Sequence, residues 1–203
     1  SGRLQEEDAR FHNKHRTSVH VPAQPLYTEQ DAYACLKQFR AHRYRELVEL
    51  PGGASFRFLP AGHILGSAFV EFYFPNGERI LMSGDLGRKN TPIITDPTAV
   101  DFAEHLVLES TYGDRLHGDE NASEKLESIL NEAFRDSKCV IVPSFAIGRT
   151  QELLYLIDQL QKAGRVPRVP IFIDSPMATS ATQLYSITGE DHDEDMKLAR
   201  TED

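Results

Sequence analysis

Ala68-Phe69-Val70-Glu71-Phe72-Tyr73-Phe74-Pro75-Asn76-Gly77-Glu78-Arg79-Ile80-Leu81-Met82-Ser83-Gly84-Asp85 is the stretch on which the fold turns. Two apolar runs flank Pro75-Asn76-Gly77, and Asn-Gly tolerates the positive φ that a tight hairpin needs. The reading predicts an antiparallel hairpin over residues 68–84. Immediately upstream, Phe56-Arg57-Phe58-Leu59 reads as another strand, followed by Pro60-Ala61-Gly62-His63-Ile64-Leu65-Gly66-Ser67. A histidine between glycines, just after a strand, sits where backbone can pack closely and the imidazole can point outward. The strand leaving His63 runs out through Phe74 and its partner returns to Asp85. Antiparallel pairing therefore predicts that His63 and Asp85 meet at one end of the sheet. A neutral imidazole and a carboxylate are good zinc ligands. A carboxylate can also bridge two metals about 3.5–4 Å apart, the spacing used to cleave phosphate esters. A hydrogen-bonded structural histidine and an ordinary turn aspartate are the plainer readings.

Further along, the chain alternates. Residues 105–108, 139–142 and 169–173 read as short apolar strands. Residues 123–134, 148–163 and 176–187 read as helices, with apolar side chains in helical register. Strand–helix–strand–helix predicts a parallel sheet with helices on its faces. The fold class is thus α/β, with antiparallel strands in the first half and an α/β layer in the second. The expected domains are 1–103 and 104–203. Glu109, in Leu106-Val107-Leu108-Glu109-Ser110-Thr111-Tyr112-Gly113, follows an apolar strand at its C-terminal end, where open parallel sheets place their sites. A capping or turn carboxylate is the alternative. Ser144 and Gly148-Arg149-Thr150 open a helix after a strand, a ready anion site; a structural salt bridge is the alternative for Arg149. In the polar N-terminal stretch, residues 5–11 predict a short helix. Thr28 predicts a cap for a second, with Asp31 three residues on and Ala32, Cys35, Leu36 and Phe39 as its apolar stripe. The basic run from Arg40 to Arg45 reads as a solvated helix end.

Composition limits what such a fold does. The 203 residues carry 22 basic and 31 acidic side chains, a net charge of −9. An acidic chain is a poor general DNA coater, but an enzyme can grip nucleic acid through metal ions. Cys35 and Cys139 make neither a metal finger nor a disulfide framework, as expected in a reducing compartment. No apolar run approaches the ~20 residues that cross a bilayer, and no signal peptide is legible. The chain opens at Ser1-Gly2-Arg3-Leu4 without an initiating Met, which suggests a segment of a longer protein.

Taken together, residues 60–67, 83–88 and Glu109-Ser-Thr-Tyr-Gly resemble motifs of the metallo-β-lactamase-fold nucleases that carry an inserted β-CASP domain. Residues 2–9, 143–152 and 174–178 fit the same family. The resemblance implies part of an αββα sandwich followed by part of a β-CASP parallel α/β domain. It implies His63 as a zinc ligand, Asp85 as a bridge between two Zn2+ ions, and Glu109 as the acidic residue that orients a β-CASP histidine. The glutamate followed by Ser-Thr-Tyr-Gly is similar to the RNA-directed branch. The implied activity is zinc-dependent hydrolysis of RNA phosphodiesters, endo- or exonucleolytic, in the cytoplasm. The implied partners are an RNA substrate, no membrane, and a homodimer or processing complex. Ser144 and Arg149 would hold a substrate phosphate. The family's His-x-His-x-Asp-His motif is not in this sequence, and His192 has no matching motif. Truncation explains this, which leaves the fragment alone inactive; a non-catalytic β-CASP scaffold binding RNA or a protein partner is the alternative. A hydrolase of small esters or thioesters on the same fold is a third reading.

Overall fold

Alternating side chains over residues 55–82 build the central sheet of the computed structural model, which describes residues 1–116, 118, 121–189 and 192. The strands are β1 (Val48–Glu49), β2 (Ser55–Pro60), β3 (Ala68–Tyr73), β4 (Arg79–Met82) and β5 (His105–Val107), in the order β1-β2-β3-β4-β5. β1 to β4 pair antiparallel, and β5 joins β4 in parallel. The β3–β4 hairpin forms as its Asn76-Gly77 turn predicts, with Gly77 at φ 89°. Leu59 pairs with Phe69, and Leu81 with Glu71, so these four share one face. There Leu59, Ala61, Phe69 and Leu81 form a buried core, packed by Val100 and Ala103. Glu71 is 1% exposed on this face. Its carboxylate accepts from Arg57 Nε (2.7 Å) and Arg79 Nη1 (3.4 Å), the pairing that a buried charge requires.

Three helices follow: α3 (Ala122–Arg135), α4 (Arg149–Lys162) and α5 (Pro176–Ile187). Asn121 caps α3 through Ser123 N–H, and Ser175 caps α5 through Ala178 N–H with Pro176 in its first turn. α3 and α4 share a core of Leu126, Leu160 and Val166. The two strands expected beside these helices do not form. Residues 139–142 and 169–173 form no ladder among the described residues. A strand exists only through a neighbour. Here Val140, Val142, Ile171 and Ile173 instead line, with Leu126 and Leu153, an apolar cavity of about 650 Å³. The described residues therefore give a mixed α/β fold whose one sheet lies in its first half.

Backbone contacts divide the chain into Ser1–His42 and Arg43–Asp203. The first unit holds two helices, α1 (Gly2–His15) and α2 (Glu29–Leu36). α1 is longer than predicted: an Arg3–Glu7 pair supports its first turns, and Arg16 ends it in the left-handed conformation. Gly2 is buried, and a Cβ there would lie 2.7 Å from the Thr28 carbonyl. α2 starts at the predicted cap, Thr28, which forms a reciprocal box with Asp31. It stops at Leu36, short of Phe39, because Gln38 and Phe39 N–H turn back to the carbonyls three residues earlier. The predicted apolar stripe is not buried.

Candidate metal centre

Glycine brings the two halves of the site together. The loop after β2 closes on Ser67, whose Oγ accepts His63 N–H (3.0 Å) and Ile64 N–H (3.2 Å). Gly62 (φ 67°) lies under Pro97, and a Cβ there would meet its ring at 2.7 Å. Gly87 approaches still closer: a Cβ on it would be 1.8 Å from the Gly62 carbonyl oxygen. Gly87 N–H also donates to the Ala61 carbonyl (2.9 Å). Only glycine permits such backbone-on-backbone contact. The loop after β4 thus lies directly on the loop after β2, and His63 Nε2 stands 3.9 Å from Asp85 Oδ2. Both side chains are open to solvent, as a site that admits a ligand requires.

Glu109 enters from the end of β5. Its N–H donates to Ser83 Oγ (3.0 Å), its Oε1 accepts Leu86 N–H (3.2 Å), and its Oε2 accepts Thr111 N–H (3.1 Å). The hydrogen bonds from Thr111 and Leu86, with a smaller contribution from nearby His63, hold its carboxyl below the usual glutamate range. Glu109 is therefore ionised, and it ties the Asp85 loop to β5. A carboxylate has about four lone-pair sites; with the Thr111 side chain also bonded to it, room for one further donor remains. The sequence brought His63, Asp85 and Glu109 into view; Ser67, Ser83 and the Gly62–Gly87 contact it did not, although the glycines beside both ionisable residues were the available signal.

Ser144 and Arg149 lie on the approach to α4. Ser144 Oγ is 2.9 Å from Thr150 Oγ1, and Arg149 pairs with Glu152 at 2.6 Å. Gly148 N–H donates to Gln151 Oε1 (2.8 Å). The polar groups of this turn are engaged with one another.

A neutral imidazole and a carboxylate at this separation suit zinc in donor chemistry. They supply two of the four donors that a tetrahedral ion takes. Among the described residues, no group of three or more His, Cys, Asp or Glu side chains is arranged to hold a metal. His192, buried and stacked on Tyr185 at 6.1 Å, bridges to Ile94.

The Beta-Casp domain family matches residues 150–202. The chain is 36% identical over 170 residues to a protein named Ribonuclease TTHA0252 of Thermus thermophilus, covering 83% of this chain and 38% of that one. It is 33% identical over 164 residues to an RNase J-like protein of Methanocaldococcus jannaschii, covering 78% and 38%. It is 34% identical over 167 residues to cleavage and polyadenylation specificity factor subunit 3 of Dictyostelium discoideum, covering 79% and 21%. The chain thus spans about two fifths of the length of the first two and about one fifth of the third.

Proposed function

We propose that the chain is part of a β-CASP protein of the metallo-β-lactamase fold, and that the whole protein is a zinc-dependent hydrolase of RNA phosphodiesters. The observation that carries the reading is the meeting of His63, Asp85 and ionised Glu109 at one end of β4 and β5. The names of its relatives, ribonuclease among them, support RNA as the substrate. His63 Nε2 and Asp85 would hold the metal, with the remaining donors outside the described residues. Bound zinc supplies Lewis acidity, which activates water at neutral pH and offsets charge on the phosphoryl oxygens. Asp85, on a loop anchored through Gly87, would present its carboxylate opposite the imidazole. Glu109 keeps a lone pair to accept an N–H from a histidine, and so would fix the ring that passes a proton to the leaving oxygen. Ser144 and Arg149 would steady a flanking phosphate once Arg149 exchanges Glu152 for it. Exposed free Cys35 and Cys139 suit a reducing cytoplasm.

The test uses the whole protein with RNA labelled at either end. Cleavage that stops on chelation and returns with zinc supports the reading, and the fragment lengths separate endonucleolytic from exonucleolytic attack. Stoichiometric RNA binding with no zinc and no cleavage would replace it with the scaffold reading.

A further inference from the structure

The loop that carries His63 has a fixed shape. Ala61 N–H donates to the Ser67 carbonyl (3.0 Å) and Ser67 N–H to the Ile64 carbonyl (3.1 Å). These bonds lie within the loop, so they leave its placement to its neighbours. On one side the neighbour is Gly87. On the other side the two residues after His63 reach the helices. Leu65 packs, with Tyr155 of α4, on the buried cluster of Ile93, Ile94 and Tyr185 of α5. Ile64 Cγ2 lies over Gly148, the residue before α4, and a Cβ built there would be 3.0 Å away. Gly148 also holds φ +82°, a conformation that favours glycine. It is pinned in turn: Gln151 accepts its N–H and donates through Nε2 to the Ala146 carbonyl (3.1 Å) and to Thr182 Oγ1 of α5 (2.9 Å).

We propose that Ile64 and Leu65 are positioning residues for His63, seated on Gly148 and on the Tyr155–Tyr185 cluster, so that α4 and α5 set where the imidazole stands opposite Asp85. Two apolar contacts toward the helices and the glycine contact with Gly87 tie the loop to its neighbours. A shift in the first turn of α4 is then felt at His63. The consequence for metal binding rests on the proposed role of His63 as a ligand; the positioning does not.

The test is a compensating pair of substitutions, read at the His63 Cε1–H resonance in the metal-free chain. Gly148→Ala places a methyl against Ile64 Cγ2 and should shift that resonance. Ile64→Leu removes the β-branch. In the double variant the resonance should return toward its original position, although the backbone strain at residue 148 is unchanged. In the whole protein, Gly148→Ala should weaken zinc binding by roughly 10–100-fold, the usual loss when the support of a ligand is disturbed, and the double variant should recover part of it. If Gly148→Ala does not fold, Ile64→Ala adds no bulk and should shift the resonance by removing the seat. An unmoved His63 resonance in Gly148→Ala or Ile64→Ala, or a shift that Ile64→Leu leaves in place, overturns the proposal. Failure of the whole protein to cleave RNA, with these shifts present, would count against the function and not against the positioning.

Discussion

Glu109 shows how one carboxylate can serve structure and chemistry at once. A group that only assisted catalysis could be neutralised without cost to folding. Here both oxygens accept backbone N–H groups, one of them from the loop that carries Asp85. Glu109→Gln keeps one acceptor and turns an N–H donor toward the other, so the thermal midpoint should fall. The pH dependence follows from the lowered pKa of Glu109. A carboxyl depressed in the folded state stabilises above its unfolded value, and the contribution is lost as pH falls through the folded value. The difference in midpoint between the native chain and Glu109→Gln should therefore be largest near neutrality and shrink in acid. A difference independent of pH would show that the charge is not what the N–H groups recognise. In the whole protein the same variant should lose roughly 10²–10⁴-fold in turnover if Glu109 orients a proton donor. Asp85→Ala should behave differently: its side chain is 78% exposed, so the midpoint should hold while zinc content and turnover fall together. Normal turnover in that variant would make Asp85 a turn residue only. Gly87→Ala is the severe case, because its Cβ would fall on the Gly62 carbonyl. It should destabilise at or above the top of the ordinary range of about 0.5–3 kcal/mol, as a denaturation curve would show.

At the level of elements, what is local is what sequence reading finds. The Asn76-Gly77 turn and the Thr28 box each depend on a few neighbouring residues, and each forms as read; the Ser175 cap of the helix read over 176–187 is equally local. Removing the hydroxyl in Ser175→Ala should cost about 1 kcal/mol, the usual loss at a helix cap, measured by denaturation; no change would mean that Pro176 alone fixes the start of α5. The His63–Asp85 encounter was legible for the same reason, since it follows from one hairpin and its ends. Residues 139–142 and 169–173 were not legible, because an apolar run specifies burial but not the partner that makes it a strand. The contacts of Gly62 with Pro97 and of Gly148 with Ile64 were hidden too. They join residues far apart in sequence, and glycine has no side chain to announce a contact. Ile93 is an extreme instance: β-branched, buried and at φ 69°, a strain of order 1–3 kcal/mol at a residue packed with Ile94, Tyr185 and Leu65.

For the molecule as a whole, charge and ligand count act together. With a net charge of −9 the chain repels the phosphates of RNA at long range. Binding through many Lys and Arg contacts would show as a steep loss of affinity with salt, because each neutralised phosphate releases counterions. The site offers instead an exposed imidazole and an exposed carboxylate, the proposed metal ligands, and an arginine already paired with glutamate. The 203-residue chain alone should therefore hold less than one tightly bound zinc and bind single-stranded RNA weakly, with a shallow salt dependence between about 50 and 200 mM. The whole protein should bind RNA more tightly when zinc is present than after chelation, since the ions then supply the positive charge that the chain lacks. Metal analysis beside fluorescence anisotropy of a labelled RNA measures both quantities on one sample. Two zincs per 203-residue chain would refute the view that further ligands complete the site. Tight RNA binding that survives chelation and falls steeply with salt would move recognition away from the metal centre and onto basic side chains.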